Sequence, residues 1–176
     1  DGRSDAASVV RPFYALDARW AAGVSASRYD RIDARYNAGK VVAEYRHRED
    51  FAEAFGGWSQ GLVGGWVQRY SLGLRLQDDA YATESGRVAP AQLPTDQTLV
   101  GPFVRYELIE DRFQKEVNRN LIGRPEFFAL GQTSTVQVGL ASTALGSSLN
   151  ALLYAASISR GFTPAPDQTI LVSGQV

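Results

Sequence analysis

The sequence predicts an all-β fold, an antiparallel up-and-down meander of seven or eight long strands. The first observation behind this is alternation. Over residues 66–77 one set of alternate residues is Trp66, Gln68, Tyr70, Leu72, Leu74 and Leu76, and the other is Val67, Arg69, Ser71, Gly73, Arg75 and Gln77. Successive side chains of a strand point to opposite faces, so this stretch is a ribbon, apolar on one side and polar on the other. A helix would scatter Arg69 and Arg75 around its axis and hold Gly73 in its interior at a cost of about 1 kcal/mol. The second observation is that the same period recurs along the chain with no convincing helix between the repeats. The third is the punctuation of these segments by Gly, Asn and Pro, the residues that turns select.

The elements follow in order. Residues 1–11 are small and polar and are expected to be a flexible leader. A strand then begins near Phe13, with Tyr14, Leu16, Ala18, Trp20, Ala22, Val24 and Ala26 on one face and Asp17, Arg19, Gly23 and Ser25 on the other. Asn37, Ala38 and Gly39 form a turn signal. The next strand sets Val41, Ala43 and Tyr45 against Glu44, Arg46 and Arg48 and is expected to continue through residues 49–56, despite some helix propensity there. Residues 56–61 and Gly64-Gly65 frame a connection to the strand of residues 66–81. Residues 83–97, with Gly86, Pro90 and Pro94, read as a loop. Alternation resumes over 99–113, where Pro102 must sit near a strand start or at an edge because it lacks a ladder donor. The charged run 110–120 is expected to project into water, and 122–125 to be an irregular return. Val136, Val138 and Leu140 mark a strand, residues 142–148 a turn, 149–162 a strand, and 163–167 a loop. A last strand starts near Ile170.

Composition narrows the class. The 176 residues make one domain or part of one, and a net charge of −1 supplies no global basic field for nucleic acid. Without cysteine there is neither disulfide nor thiolate metal site. The chain has no methionine, so residue 1 is expected to be a processed start. No run of 18 apolar residues is present, which leaves a membrane-spanning β-barrel open, since its strands need only about 9–11 residues.

Two solvents fit the apolar faces. They could turn inward to a core, as in a soluble β-barrel or sandwich that binds a small apolar ligand. They could instead turn outward to lipid while the polar faces line a wet lumen. Ala and Val on the apolar faces, the mixed charges on the polar faces, and aromatics near strand ends (Phe13, Tyr14, Tyr29, Tyr81, Phe113, Phe127, Phe128, Phe162) suit the second.

Residues 14–20, Tyr-Ala-Leu-Asp-Ala-Arg-Trp, resemble the opening barrel strand of the bacterial surface-antigen family of outer-membrane barrels. Residues 57–62 (Gly-Trp-Ser-Gln-Gly-Leu) and 122–131 (Ile-Gly-Arg-Pro-Glu-Phe-Phe-Ala-Leu-Gly), followed by Gly146-Ser147, are similar to its next segments. The resemblance covers residues 12–176. It implies the N-terminal part of a sixteen-stranded barrel at the bacterial outer membrane, usually preceded by POTRA repeats, that inserts or translocates client polypeptides without enzymatic chemistry and without a cofactor. The chain departs from the pattern: no POTRA repeat is present, Arg160-Gly161-Phe162 closes a strand where the family's Arg-Gly-aromatic motif occupies a long loop, and position 176 is Val rather than an aromatic. Residues 12–176 would therefore form an incomplete barrel, expected to associate with further copies.

Asp17, Arg19, Arg69, Arg75, Arg105 and Glu107 are the lumen-facing candidates, expected to fill space with cross-strand ion pairs. Leu16, Trp20, Tyr70, Leu72, Leu74, Val104 and Val138 are the lipid- or core-facing candidates. His47 is the only histidine. A Ser-His-Asp outer-membrane lipase would need it, but an ordinary strand histidine is the preferred reading. Asp78, Asp79 and Glu84 offer hard oxygen ligands for calcium but lack EF-hand spacing, and read as a solvated loop.

Overall fold

The structure is a computed structural model and describes residues 2–117, 123–165 and 168–176. Eight strands form one antiparallel sheet: β1 (Gly2–Arg11), β2 (Trp20–Asn37), β3 (Lys40–Val63), β4 (Trp66–Thr83), β5 (Gln97–Glu110), β8 (Thr133–Ala141), β9 (Ala151–Ala165) and β10 (Gln168–Gln175). They lie side by side in chain order, and the hairpin of β6 (Phe113–Val117) and β7 (Pro125–Ala129) is inserted between β5 and β8. This is the up-and-down meander expected of a chain whose strands are joined by short turns. The sheet is open, with β1 and β10 at its two edges.

Turn chemistry sets the registers. Gly64 and Gly65, at φ 58° and 82°, form the two-residue connection from β3 to β4. Ala38 and Gly39, at φ 47° and 77°, do the same between β2 and β3, so an alanine occupies a left-handed position there. Pro102 lies in β5 opposite Leu74, just beyond Phe103, the last β5 residue paired with β8. Two residues before it, the Val100 N–H leaves β4 and bonds the Ser147 hydroxyl at 2.7 Å. The missing Pro102 donor therefore faces the side where the β8 ladder has ended.

Several expectations are corrected. Residues 2–11 are a strand paired along their length with β2, not a leader. Their small residues carry little β-propensity, and it is the partner's ladder that orders them. Residues 12–19, which hold Tyr14, Leu16, Asp17 and Arg19, form a turn rather than the start of β2, closed by Ala18 N–H to Ala15 O at 3.2 Å. Residues 56–61 belong to β3, which passes through them on a bulge. The charged segment after Glu110 forms the β6–β7 hairpin, while residues 118–122 lie outside the described residues. Residues 163–165 extend β9 where a loop was expected, and 166–167 lie outside the described residues.

The core is thin. Among the described residues the buried apolar ones are Ala18, Ala21, Ala43, Val67, Phe103, Leu130 and Ala141. The accessible surface is 11535 Å² for 19.2 kDa, against roughly 8,400 Å² for a compact monomer of that mass. Among the exposed large hydrophobic residues, Leu72, Leu74, Leu76, Val104 and Val138 lie on one side of the sheet.

Candidate functional site

The ladder pairs define rows that cross the sheet. One row on the outer face runs Trp20, Trp58, Tyr70, Tyr106, Val136 and Ala156 across six strands. Trp58 stacks on Tyr70 at 6.3 Å and Tyr70 meets Tyr106 at 5.2 Å. The next row holds Ala22, Gly56, Leu72, Val104, Val138 and Tyr154, and the one after it Val24, Ala54, Leu74 and Pro102, with the β8–β9 pair Leu140 and Leu152 lying beyond the end of the β5–β8 ladder. A third holds Ala26, Ala52, Leu76 and Val100. The row after that is Asp5, Arg28, Asp50, Asp78 and Thr98, where apolar character stops. Arg28 grips Asp50 with bonds of 2.5 and 3.0 Å, and Thr98 donates to Asp78.

These outer apolar side chains are exposed: Leu72 to 63%, Leu74 to 60% and Val104 to 54%. Trp20, Tyr70 and Val138 are likewise exposed, whereas Leu16 sits half-buried in the residue 12–19 turn. From Tyr70 to Asp78 is about 26 Å along the strand, or about 19 Å of height at the tilt near 45° of barrel strands. Beyond the charged row the outer face is polar: Arg46 bonds Asp30 at 2.6 Å and Glu84 at 3.3 Å, and Arg48 lies 3.5 Å from Asp30. Those partners hold Asp30 below the usual carboxylate range, the Arg46 hydrogen bond foremost, and Arg46 is raised for the same reason.

The inner face is crowded and polar. Glu53 on β3 accepts two bonds from Arg75 directly opposite on β4, at 2.6 and 3.1 Å, and one from Arg105 on β5 at 3.1 Å. Arg105 also donates to Gln137 on β8 at 2.8 Å. Both guanidiniums lie over the Phe103 ring, at 5.4 and 5.1 Å. That ring crosses β4 at Gly73, where a Cβ would stand 2.5 Å from it. Arg69 faces Glu107 across β4 and β5, donates to Ala15 O at 3.2 Å, and covers Phe13. Of the six polar candidates, Arg69, Arg75, Arg105 and Glu107 thus share the inner face. Asp17 and Arg19 do not, since both are exposed in the turn that docks on β3, where Arg19 donates to Gln60 O.

A second inner cluster lies beyond the charged row. His47 Nδ1 meets Asp33 Oδ2 and Nε2 meets Asp79 Oδ1, each at 2.9 Å. Tyr81 stacks on the ring at 4.5 Å. The acidic trio weighed for calcium is dispersed: Asp78 faces outward to Thr98, Asp79 inward to His47, and Glu84 pairs with Arg46. The aromatic row is also not the set expected from strand ends. Tyr81 stacks on His47 and Phe13 packs under Arg69, so Trp20, Trp58, Tyr70 and Tyr106 take that place.

Comparison with family models, curated proteins and solved structures gives no match in any of the three.

Proposed function

We propose that this chain is part of an outer-membrane β-barrel whose parent inserts or translocates polypeptides. The outer band lies in lipid, and Glu53, Arg75, Arg105 and Gln137 line a wet interior. The observation that carries the membrane reading is the bounded apolar band: three apolar rows, an aromatic margin on one side, a charged margin on the other, and polarity restored on the outer face beyond it. Lipid is the solvent that makes such a band favourable, and aromatic residues favour its boundary. A soluble ligand-binding barrel would place these residues on the enclosed face, which here carries ion pairs. For a hydrolase, His47 has carboxylates on both ring nitrogens in place of a serine hydroxyl. The polypeptide client rests on the resemblance of residues 14–20, 57–62 and 122–131 to surface-antigen barrels. In that setting the polar lumen and an openable strand edge would serve the client.

Site-directed spin labels test the membrane reading. Labels at Leu72 and Val138 are expected to be reached by oxygen dissolved in lipid, and labels at Gln137 and Ser157 by a water-soluble nickel complex. Outer labels that neither reagent reaches would overturn it. Photocrosslinking from Ser173 to nascent outer-membrane polypeptide in cells tests the client, and the absence of any adduct would remove it.

A further inference from the structure

We propose that His47, Glu49 and Asp79 form a binding site for a divalent metal ion of the zinc class, with Asp33 orienting the histidine. This inference stands apart from the membrane reading, because the cluster belongs to the ribbon beyond the charged row. The three ligand atoms converge to within 4.8 Å of one another, so one ion at the roughly 2.0–2.2 Å that zinc keeps from nitrogen and oxygen ligands needs only small side-chain movements.

Three features point to a cation rather than to a satisfied core histidine. First, Glu49 and Asp79 are directly opposite on β3 and β4, a like-charge pair that destabilises a ladder unless something lies between. Second, the charges do not close. Among the described residues, the guanidinium paired with these carboxylates is Arg31, which bonds Asp33 at 2.9 Å and reaches His47 at 3.3 Å. A doubly charged ion on a neutral imidazole balances the remaining two carboxylates. Third, the ring is arranged as metal-bound imidazoles are. Nδ1 faces the Asp33 carboxylate at 2.9 Å, and with the proton placed there the Nε2 lone pair is free for an ion that Asp79, at 2.9 Å, would share. Gln77 donates to the other Asp79 oxygen at 3.0 Å, and the Tyr81 ring covers the imidazole, so both first ligands are held in place. The imidazole–carboxylate donor set suits zinc better than magnesium or calcium, which prefer oxygen alone.

The single histidine makes the test specific, provided the protein carries no polyhistidine tag. Zinc titration of the folded full chain in detergent, followed by calorimetry and by nitrogen resonances of the one imidazole, is expected to show one equivalent bound and a shift of Nε2 rather than Nδ1. His47→Asn should abolish saturable binding. Asp33→Asn should weaken it about 10–100-fold, and Asp5→Asn, on the outer face, should leave it unchanged. The resonance measurement on the unaltered protein stands even if a variant fails to fold. Absence of saturable binding up to about 1 mM zinc, with the ring doubly protonated between its carboxylates, would show a proton in the ion's place and overturn the proposal. So would zinc binding that leaves the imidazole resonances unmoved.

Discussion

Single side chains test what solvent the sheet is built for. Leu74 is four residues from Tyr70 in the aromatic row and four from Asp78 in the charged row, midway across the band, and 60% exposed. In a bilayer, Leu74→Arg is expected to cost about 2–4 kcal/mol, the penalty for a cation at the midplane of a barrel's lipid face. Ser157 pairs with Thr135 on the inner face, and Ser157→Arg there should change stability by no more than about 1 kcal/mol, because the proposed barrel makes that face wet. Urea titrations of both variants folded into vesicles check the contrast; equal costs would mean that the two faces see the same environment. Ala38 offers a separate measurement. Its φ of 47° is one that Asn accepts more readily, so Ala38→Asn should stabilise the β2–β3 turn by about 0.5–1 kcal/mol in the same titration.

At the scale of elements, β2 and β3 continue past the charged row as a ribbon whose outer face is held by ion pairs. Asp30 is the centre of that group, bonded by Arg46 and approached by Arg48. Its carboxyl lies below the ordinary value of 3.8, so its contribution is fully present above that value and is lost as pH falls through the lowered one. Amide protection in the ribbon, taken relative to the intrinsic exchange rate, should therefore fall as the pH drops below 3.8, while protection in the Leu72–Val104 region does not. Asp30→Asn should show the reduced protection already at pH 6. An acid response spread evenly over the sheet would contradict the local account. The same ribbon marks how far the sequence could be read. Period-two alternation reveals β4, β5 and β8 directly, and with them the inner positions of Arg69, Arg75, Arg105 and Glu107. The partners across the sheet stay hidden, because they depend on bulges. Counting back from Gly64-Gly65 pairs Leu62 with Val67, a sum of 129, which would set His47 opposite Ala82. The irregularity at Gln60 and Gly61 removes one step, so Ser59 meets Arg69 and His47 meets Tyr81. Gly61, at φ 73°, supplies that bulge, and its N–H is taken by the Ser59 hydroxyl at 2.9 Å. The His47 cluster was thus one register step away from being legible. β1 is hidden for a different reason: an edge strand of small residues is ordered by its neighbour and carries no pattern of its own.

For the whole molecule, the open sheet leaves two strand edges and an apolar face unpartnered. Alternate backbone groups of β10 point away from β9, and an exposed edge of this kind pairs readily with another chain. The direction of each group follows from the ladder. The Val176 N–H bonds Ala156 O at 2.9 Å, so the N–H groups of Gly174 and Val172 also face β9, while those of Ser173 and Leu171 face outward. The 176-residue chain is therefore expected to self-associate, joining β10 to an edge of a second copy and bringing the bands of Leu72, Leu74, Val104 and Val138 into one continuous surface. Ser173→Pro removes an outward donor without breaking a bond to β9. In a two-fold pairing of β10 with β10 the loss counts twice, at about 1 kcal/mol each, so dimerisation should weaken roughly 30-fold. Val172→Pro should instead unpair β10 from β9 and lower stability, since its N–H faces inward. Sedimentation equilibrium in detergent at matched protein concentrations distinguishes these cases. A wild-type chain that stays monomeric across the micromolar range, or a Ser173→Pro variant that associates as tightly as wild type, would show that the β10 edge is not where copies meet.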